Sequence, residues 1–502
     1  MSFAVRQVHE KSAKNRRIAW LKALRTITRV CAPFIAWYAS YRHQKEQRKN
    51  EKKCTRIVQK IFMSAIAISL AILLGTFFIS SLSLLRFSSF SFEKNDAVLS
   101  VDTNGRTNIL LLGEGDETGQ YLTDAIIVAS LDPDTRSIGL LSFPRDLYFL
   151  HTDTMGEGRL NSLYRDYFYS LRRSGIEEKE ASNTAMKELM KESGKALNID
   201  IHYGIKVNFA GFIQAVDAIG GITLSVPYDI VDPEYPGPNY TVEPFEIQKG
   251  IRHFDGETAL KYARSRNTTS DFSRSERQQM LLKALGKKMK KEGLFQKPNV
   301  LLSLFQTMQE YVQTTMSISE LVAFAIQGRS ILPENIYAMQ LHDRNGLYDD
   351  VLEPGGLLYT PPRDLFDGAS VLLPVSIPEF PVTWKQIHTL AYLFFTIRSL
   401  HLQKPSIAIL NAGAPSGYAR FLGNELKKFG MNVLDIRNAE TKQVTSALYA
   451  PSQNSIGNTL ATILNIPFQQ GPYAGDQHDI VVVLGKDYHY FRMQDLLAQY
   501  LP

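Results

Sequence analysis

The feature that most constrains this chain is a stretch of 25 residues without a charge, Ile61 to Leu85 (IFMSAIAISLAILLGTFFISSLSLL). As a helix rising ~1.5 Å per residue it reaches about 37 Å, enough to cross a hydrocarbon core of about 30 Å with some tilt. A buried core helix is rarely uncharged for so long. A cleaved signal peptide is also a poor fit, because the leader is long and Ser80-Ser81-Leu82 is a weak cleavage site. Lys52, Lys53, Arg56 and Lys60 precede the run and only Arg86 follows closely. The positive-inside bias therefore predicts a single-pass protein of the cell membrane, its N-terminus cytoplasmic and Phe87 to Pro502 extracytoplasmic. Residues 1–60 carry 16 Lys+Arg against 3 Asp+Glu, and the remainder 40 against 47. The net charge of +6 thus hides a basic leader on a slightly acidic body. Beside a membrane span such a leader suits anionic lipid head groups, and no nucleic-acid partner is expected. A shorter apolar patch, Cys31 to Tyr41, is interrupted by Pro33 and suits the membrane surface.

Cys31 and Cys54, the two cysteines, both precede the span, so the external part has to be stable without disulfides and needs a real core. A composition 44% hydrophobic and 21% charged can supply one, and excludes a disordered or fibrous chain. The predicted organisation is a basic leader (1–60), a transmembrane helix (61–85), a polar stalk (86–104), a catalytic domain (105–375), a connector (376–404) opening in the Pro-rich stretch Pro374 to Pro381, and a small α/β unit (405–490).

Asn108 to Gly113 is a continuous apolar run closed by glycine, as in a strand buried on both faces. Ala125–Leu131 and Ser137–Phe143 flank the turn Asp132-Pro133-Asp134-Thr135 and predict a hairpin. Asp124 and Arg145 then share one edge of the sheet, within reach of Asp116. Ser174–Asn198, Phe209–Ile219 and Asp255–Ala263 read as helices, and Ser273-Arg274-Ser275-Glu276 as a capping box opening a further one. The C-terminal unit alternates strands at Ile407–Leu410, Asn432–Ile436 and Asp479–Leu484 with helices at Gly417–Phe429 and Ser455–Leu464, and is expected to be independent. The fold class is mixed α/β, a sheet flanked by helices with an apolar lipid groove between them.

Four arginines, Arg264, Arg266, Arg274 and Arg277, fall within 14 residues around Asp271 and Gln278. Planar guanidinium forks suit phosphate oxygens better than lysines do, and the helix that follows uses lysine instead. Arg274 and Arg277 share a helix face near a helix start, where free N–H groups favour anions. Asp116 and Asp124, two carboxylates opposite this cluster, suit a Mg²⁺–pyrophosphate site, since Mg²⁺ takes one or two carboxylates and completes its shell with substrate oxygens and water. Asp146 and Asp271 are candidates for accepting a proton. Gly113-Glu114-Gly115 is followed by no Lys-Ser/Thr and is not a P-loop.

In order, Asn108-Ile109-Leu110-Leu111-Leu112-Gly113, Leu122-Thr123-Asp124, Phe143-Pro144-Arg145-Asp146, Gly220-Gly221-Ile222, Phe254 to Leu260 running into Tyr262-Ala263-Arg264-Ser265-Arg266, and Asp271, Arg274 and Arg277-Gln278 resemble the motifs of the LytR–CpsA–Psr family over residues 105–375. Ile407 to Gly413, Gly417-Tyr418-Ala419 and Val482 to Tyr488 resemble the C-terminal domain often attached to it. The resemblance implies a Mg²⁺-dependent transferase that moves a glycan from a polyprenyl-pyrophosphate carrier to an acceptor hydroxyl of the cell-wall glycan. It implies Asp116 and Asp124 as metal ligands and Arg145, Arg264, Arg266, Arg274 and Arg277 as the pyrophosphate grip, with Gln278 expected beside them; Arg145 is expected to serve catalysis too, and Asp146 and Asp271 are candidates for the general base by type and position. The chain departs from the family pattern at Gly113-Glu114-Gly115-Asp116, where Gly-x-Asp is usual, so Glu114 competes with Asp116 as ligand. Ala125 replaces a common threonine, and an arginine often found in the metal-side loop is missing from Glu117 to Thr123. The alternative is a non-catalytic, membrane-anchored wall-binding or regulatory protein. The topology has a direct check: protease added to intact, wall-stripped cells should digest residues beyond Phe87 and spare the leader, whereas protection of the external part would reverse the orientation.

Overall fold

The computed structural model describes residues 98–115, 121–237, 241–265, 271–342, 356–376, 382–451 and 455–501. The basic leader, the expected span and most of the stalk lie outside them. Among the described residues no helix is long and apolar enough to cross a membrane.

The apolar runs read from the sequence form the middle of the main sheet. Strands β1 (Thr107–Glu114), β2 (Thr123–Asp132) and β3 (Ser137–Phe143) pair antiparallel as a meander. The hairpin turn is closed by Asp132, whose Oδ1 accepts from the N–H groups of Asp134 (2.9 Å) and Thr135 (3.1 Å). Two helices follow, α1 (Leu160–Arg173) and α2 (Glu178–Leu197), where the sequence predicts one over Ser174–Asn198. Strand β4 (Tyr203–Asn208) returns parallel to β1 and leads into helix α3 (Phe209–Ala218), capped by the Asn208 side chain. Four short strands, β5 (Ile222–Val226), β6 (Ile230–Asp232), β7 (Phe245–Ile247) and β8 (Gly250–Phe254), pair β5 with β8 and β6 with β7. Helix α4 (Gly256–Arg264) starts at the Asp255 cap as predicted, and α5 (Asp271–Lys291) follows. Because α5 begins at Asp271, Ser273 falls within its first turn and not at the cap position. Strands β9 (Val312–Thr314) and β10 (Ile336–Gln340) complete a six-stranded mixed sheet in the order β9-β4-β1-β2-β3-β10.

Alternation along the central strands divides the core. Leu110, Leu112, Ile126 and Val128 pack against Leu160, Leu163, Tyr164, Met186 and Leu189 of α1 and α2. Ile127, Ala129 and Leu140 face the other way, toward Leu282 of α5. A satellite cluster of Val216, Ile222, Phe254, Ala259, Tyr262 and Leu281 ties α3, α4 and α5 to the short strands.

The C-terminal part is joined to this core, contrary to the expected independence. Helices α6 (Lys385–Phe395) and α7 (Ser399–Gln403) lead to strand β11 (Ile407–Asn411), helix α8 (Tyr418–Lys428), strands β12 (Val433–Asn438) and β13 (Ala447–Ala450), helix α9 (Ser455–Leu464), and strands β14 (Phe468–Gln470) and β15 (Ile480–Leu484). The five strands are ordered β12-β11-β15-β13-β14. Leu390, Phe394 and Phe395 of α6 belong to one apolar cluster that runs from Leu110 in β1 to Val482 and Leu484 in β15. Charge reinforces the junction: buried Arg398 reaches Asp132 Oδ2 (3.1 Å), Ser137 Oγ (3.1 Å) and Ser130 Oγ (3.2 Å) at the hairpin turn. The connector is thus core, and a pairing this buried has to be satisfied on every side.

His401 of α7 is the joint's titratable group. Its Nε2 lies 2.8 Å from the Phe429 carbonyl and its ring meets Phe394 edge-on. Burial pushes the imidazole down to about 4, below the ordinary 6.5 of an unfolded chain. Between these values the unfolded state binds a proton that the folded state excludes, so this stability is intact above pH 6.5 and is lost as the pH falls toward 4, by up to roughly 3 kcal/mol. Denaturant unfolding across that range should show a smaller acid loss for His401→Gln than for the parent chain; equal slopes would contradict the assignment.

Candidate active site

The site is built at the end of β1 where its register with β2 slips. Gly113 pairs with Ala125 and Glu114 with Thr123, which leaves Asp124 as the extra residue of a bulge. A Cβ on Gly113 would stand 3.0 Å from that of Ala125, so two small residues permit the approach. Arg145, just past the proline that ends β3, places Nη1 3.3 Å from Asp124 Oδ1. The sheet edge predicted for this pair is therefore observed. Asp146 lies behind, its Oδ2 3.6 Å from Arg145 Nε and its Oδ1 3.4 Å from Arg159 Nη1. With two guanidinium groups on its oxygens it is placed to hold Arg145 in position rather than to take a proton from substrate. The Arg145 carbonyl in turn accepts from Asn161 N (3.1 Å) at the start of α1.

Helices α3, α4 and α5 build the facing wall. Gly256 opens α4 against α3 so closely that a Cβ there would strike the Ile213 carbonyl. The Asp255 cap accepts from Thr258 N (2.8 Å), and these bonds hold its carboxyl below the usual carboxylate range. At the other end of α4, Arg264 lies over the Phe209 ring (4.2 Å) and the Tyr235 ring (5.5 Å), with Nη1 3.3 Å from the Tyr235 hydroxyl. This bracket orients the guanidinium through its faces and leaves its edge donors largely available. Phe209 and Tyr235 escaped the sequence reading because they bear no charge and lie far from Arg264 along the chain.

Between this wall and the sheet lies a cavity of about 550 Å³. Leu111, Ile127, Ile205 and Val207 line it from the sheet, and Phe212, Leu281 and Leu285 from the helices. Asp124, Arg264, Arg274 and Gln278 line it as well, so a mostly apolar space carries cationic, carboxylate and amide groups on its wall. The expected groove is present, and it gathers four of the predicted site residues. Asp232 and Glu234, which the sequence reading passed over, also line it. Asp116 and Arg266 lie outside the described residues, as does the side chain of Asp271.

Arg277 departs from expectation. It is 2% exposed, its Nε donates to the Tyr262 carbonyl (2.9 Å), and its Nη2 donates to the Ser265 carbonyl. It clasps the last turn of α4, which carries Arg264 and leads to Arg266, and is a positioning residue instead of a fifth equal member of a phosphate grip. Gln279 anchors the same helix to the sheet through Ser142 Oγ (2.8 Å) and the Met339 carbonyl (2.7 Å).

The two carboxylates that competed for the metal differ in surroundings. Glu114 is buried, and its Oε2 lies 2.7 Å from Lys206 Nζ, which itself stands over the Tyr164 ring at 4.4 Å. Asp124 remains one-third exposed and faces the cavity. Each carboxylate already meets one cation, Lys206 at Glu114 and Arg145 at Asp124, but only Asp124 is partly exposed and lines the cavity, so a hard cation taking carboxylate, phosphate and water oxygens fits Asp124 better. Among the described residues no three His, Cys, Asp or Glu side chains form a metal-sized group.

The sequence model of the LytR_cpsA_psr family matches residues 86–355, just over half of the chain. The chain belongs to the LytR–CpsA–Psr family. A second family model, described as LytR cell envelope-related transcriptional attenuator, matches residues 404–488. Among similar proteins is the polyisoprenyl-teichoic acid–peptidoglycan teichoic acid transferase TagU of Bacillus cereus, 28% identical over 201 residues, which are 39% of this chain and 57% of that protein. TagV of Bacillus subtilis, which bears the same transferase name, is 29% identical over 202 residues, 39% of this chain and 46% of that one. The chain spans about half the length of the curated relatives it matches. The crystal structure of B. subtilis TagV aligns over 58% of this chain and 97% of its own, at 23% identity and a TM-score of 0.42.

The clasp made by Arg277 has a measurable consequence. Arg277→Ala leaves two buried carbonyls without donors and should lower unfolding free energy by about 2–4 kcal/mol, whereas Arg264→Ala should cost less. Denaturant titration of both variants checks this; an Arg277→Ala chain as stable as the parent would return Arg277 to the ligand-facing set.

Proposed function

We propose that this protein is an extracytoplasmic transferase that takes a glycan from a polyprenyl-pyrophosphate carrier and joins it through a phosphodiester to a hydroxyl of the cell-wall glycan, held at the membrane by residues 61–85. The observation that carries this reading is the cavity, apolar along most of its lining, with Asp124, Arg264, Arg274 and Gln278 among the polar groups on its wall. That is the complement of an isoprenoid chain ending in a diphosphate. Membership of the family and the transferase names of its relatives support it.

In this reading the apolar walls bind the lipid tail and exclude water, and Arg264 and Arg274 meet the diphosphate oxygens with Arg145 beside them. The acceptor oxygen forms a bond to the phosphorus that bears the glycan, the bond from that phosphorus to the bridging oxygen breaks, and polyprenyl phosphate leaves. Asp271 takes the hydroxyl proton, a role for which Asp146, between Arg145 and Arg159, is poorly placed. Cations fixed in advance around the phosphoryl oxygens stabilise charge where it builds, without reorganising water. Asp124, with Asp116 from the adjoining loop, would hold Mg²⁺, which when bound supplies further neutralisation of the diphosphate.

Full-length protein in detergent, given a lipid-linked glycan and a wall oligosaccharide, should form a phosphodiester-linked product, and Asp124→Ala should reduce the rate by about a hundredfold or more. Chelation of Mg²⁺ should have a comparable effect. Glu114→Gln should retain more activity than Asp124→Ala, because its partner is Lys206. Parent protein that binds wall glycan without forming product would favour the non-catalytic alternative.

A further inference from the structure

On the α1 side of the same sheet edge, three aromatic rings stand together. Tyr121 precedes β2 with φ +63°, and its ring meets Tyr169 edge-on at 6.1 Å and Phe168 at 6.5 Å. Phe168 and Tyr169 are 5.4 Å apart. Beneath them Phe168 stacks on buried Tyr164 at 6.3 Å and 4°, and Tyr164 is fixed through its hydroxyl by Ser182 (2.6 Å) and Gln313 (3.2 Å). Tyr121 and Tyr169 nevertheless remain 47% and 40% exposed. Here a buried base supports a partly exposed aromatic surface, the kind of surface that receives the C–H faces of pyranose rings.

Its position is tied to the reacting end of the cavity. Tyr121 is three residues from Asp124, at most about 10 Å along extended backbone. Thr123 Oγ1 donates to the Asn161 carbonyl (3.3 Å) in the first turn of α1, and Phe168 lies two turns further, about 10 Å along the helix. The rings are therefore roughly a disaccharide's reach from the site of transfer. The cavity lies against the α3 and α5 side of the sheet and the rings against the α1 side. In-line displacement at phosphorus brings the nucleophile in opposite the leaving group. If the lipid phosphate departs into the cavity, the attacking sugar enters from the side of the rings.

Building on the transferase reading above, we propose that Tyr121, Phe168 and Tyr169 form the platform that binds the acceptor saccharide and presents its hydroxyl to the diphosphate. The test uses full-length protein in detergent and chitotetraose, an N-acetylglucosamine oligosaccharide, observed by saturation-transfer NMR with no donor present. The parent should transfer magnetisation to the sugar ring protons. The double variant Tyr121→Asn, Tyr169→Ala should bind about tenfold more weakly or worse, and Tyr169→Phe should stay near the parent; asparagine tolerates the left-handed backbone and alanine the helix, and melting curves verify folding. In the transfer assay the double variant should raise KM for a wall oligosaccharide acceptor about tenfold and leave KM for the lipid-linked donor within about twofold. Undiminished saccharide binding in the double variant, or a rise in donor KM instead, overturns the platform. Ring-dependent binding without any transfer upholds the platform and overturns the transferase reading alone.

Discussion

Arg264 and Arg274 line one mostly apolar cavity beside Asp124, which pairs with Arg145, and the arrangement of this site follows from how each guanidinium is held. Arg145 lies between the carboxylates of Asp124 and Asp146. Arg264 is bracketed by the faces of Phe209 and Tyr235. Arg277 donates to two carbonyls at the end of α4. Those three means of support have different effects. Carboxylates offset charge, aromatic faces orient a cation while leaving its edge donors for an anion, and carbonyls draw a guanidinium into the core, where it shapes the loop that carries its neighbours. A set that looks uniform in sequence is divided between Arg264 and Arg274, which line the cavity, and Arg277, which is buried against α4.

The rest of the fold sets where these residues stand. β1 lies between parallel β4 and antiparallel β2, so the end of β1, the bulge at Asp124 and the cap of α3 come to the same edge. The opposite end of the β2–β3 hairpin is held by Arg398 from the connector. The C-terminal strands therefore brace the six-stranded sheet through the buried connector, and truncation before α6 would expose an apolar surface that belongs to the core.

Local patterns were legible in the sequence where a short stretch determines its own structure. The apolar run of β1, the Asp-Pro turn between β2 and β3 and the Asp255 cap all appear as read, and from the hairpin alone Asp124 and Arg145 could be placed together. What was not legible depends on distant partners. Glu114 and Lys206 are 92 positions apart, and nothing near Gly113 announces that a lysine will occupy one of the glutamate's oxygens. Arg277 reads like Arg274 until the α4 carbonyls are seen beside it. Ser273 looked like a cap because its local string fits one, yet α5 starts two residues earlier. The Pro-rich stretch suggested a loose linker, whereas the helices after it are buried by side chains from both sheets and tied to the hairpin turn by Arg398.

The central claim is that the cavity was shaped for an isoprenoid diphosphate. The most direct measurement is mass spectrometry of lipid extracted from the full-length protein after purification in mild detergent, beside an Arg264→Ala, Arg274→Ala variant. The account predicts polyprenyl phosphate or pyrophosphate species, with or without attached sugar, retained by the parent and lost from the variant. Ordinary phospholipid alone in both, or polyprenyl species retained equally by both, would contradict it.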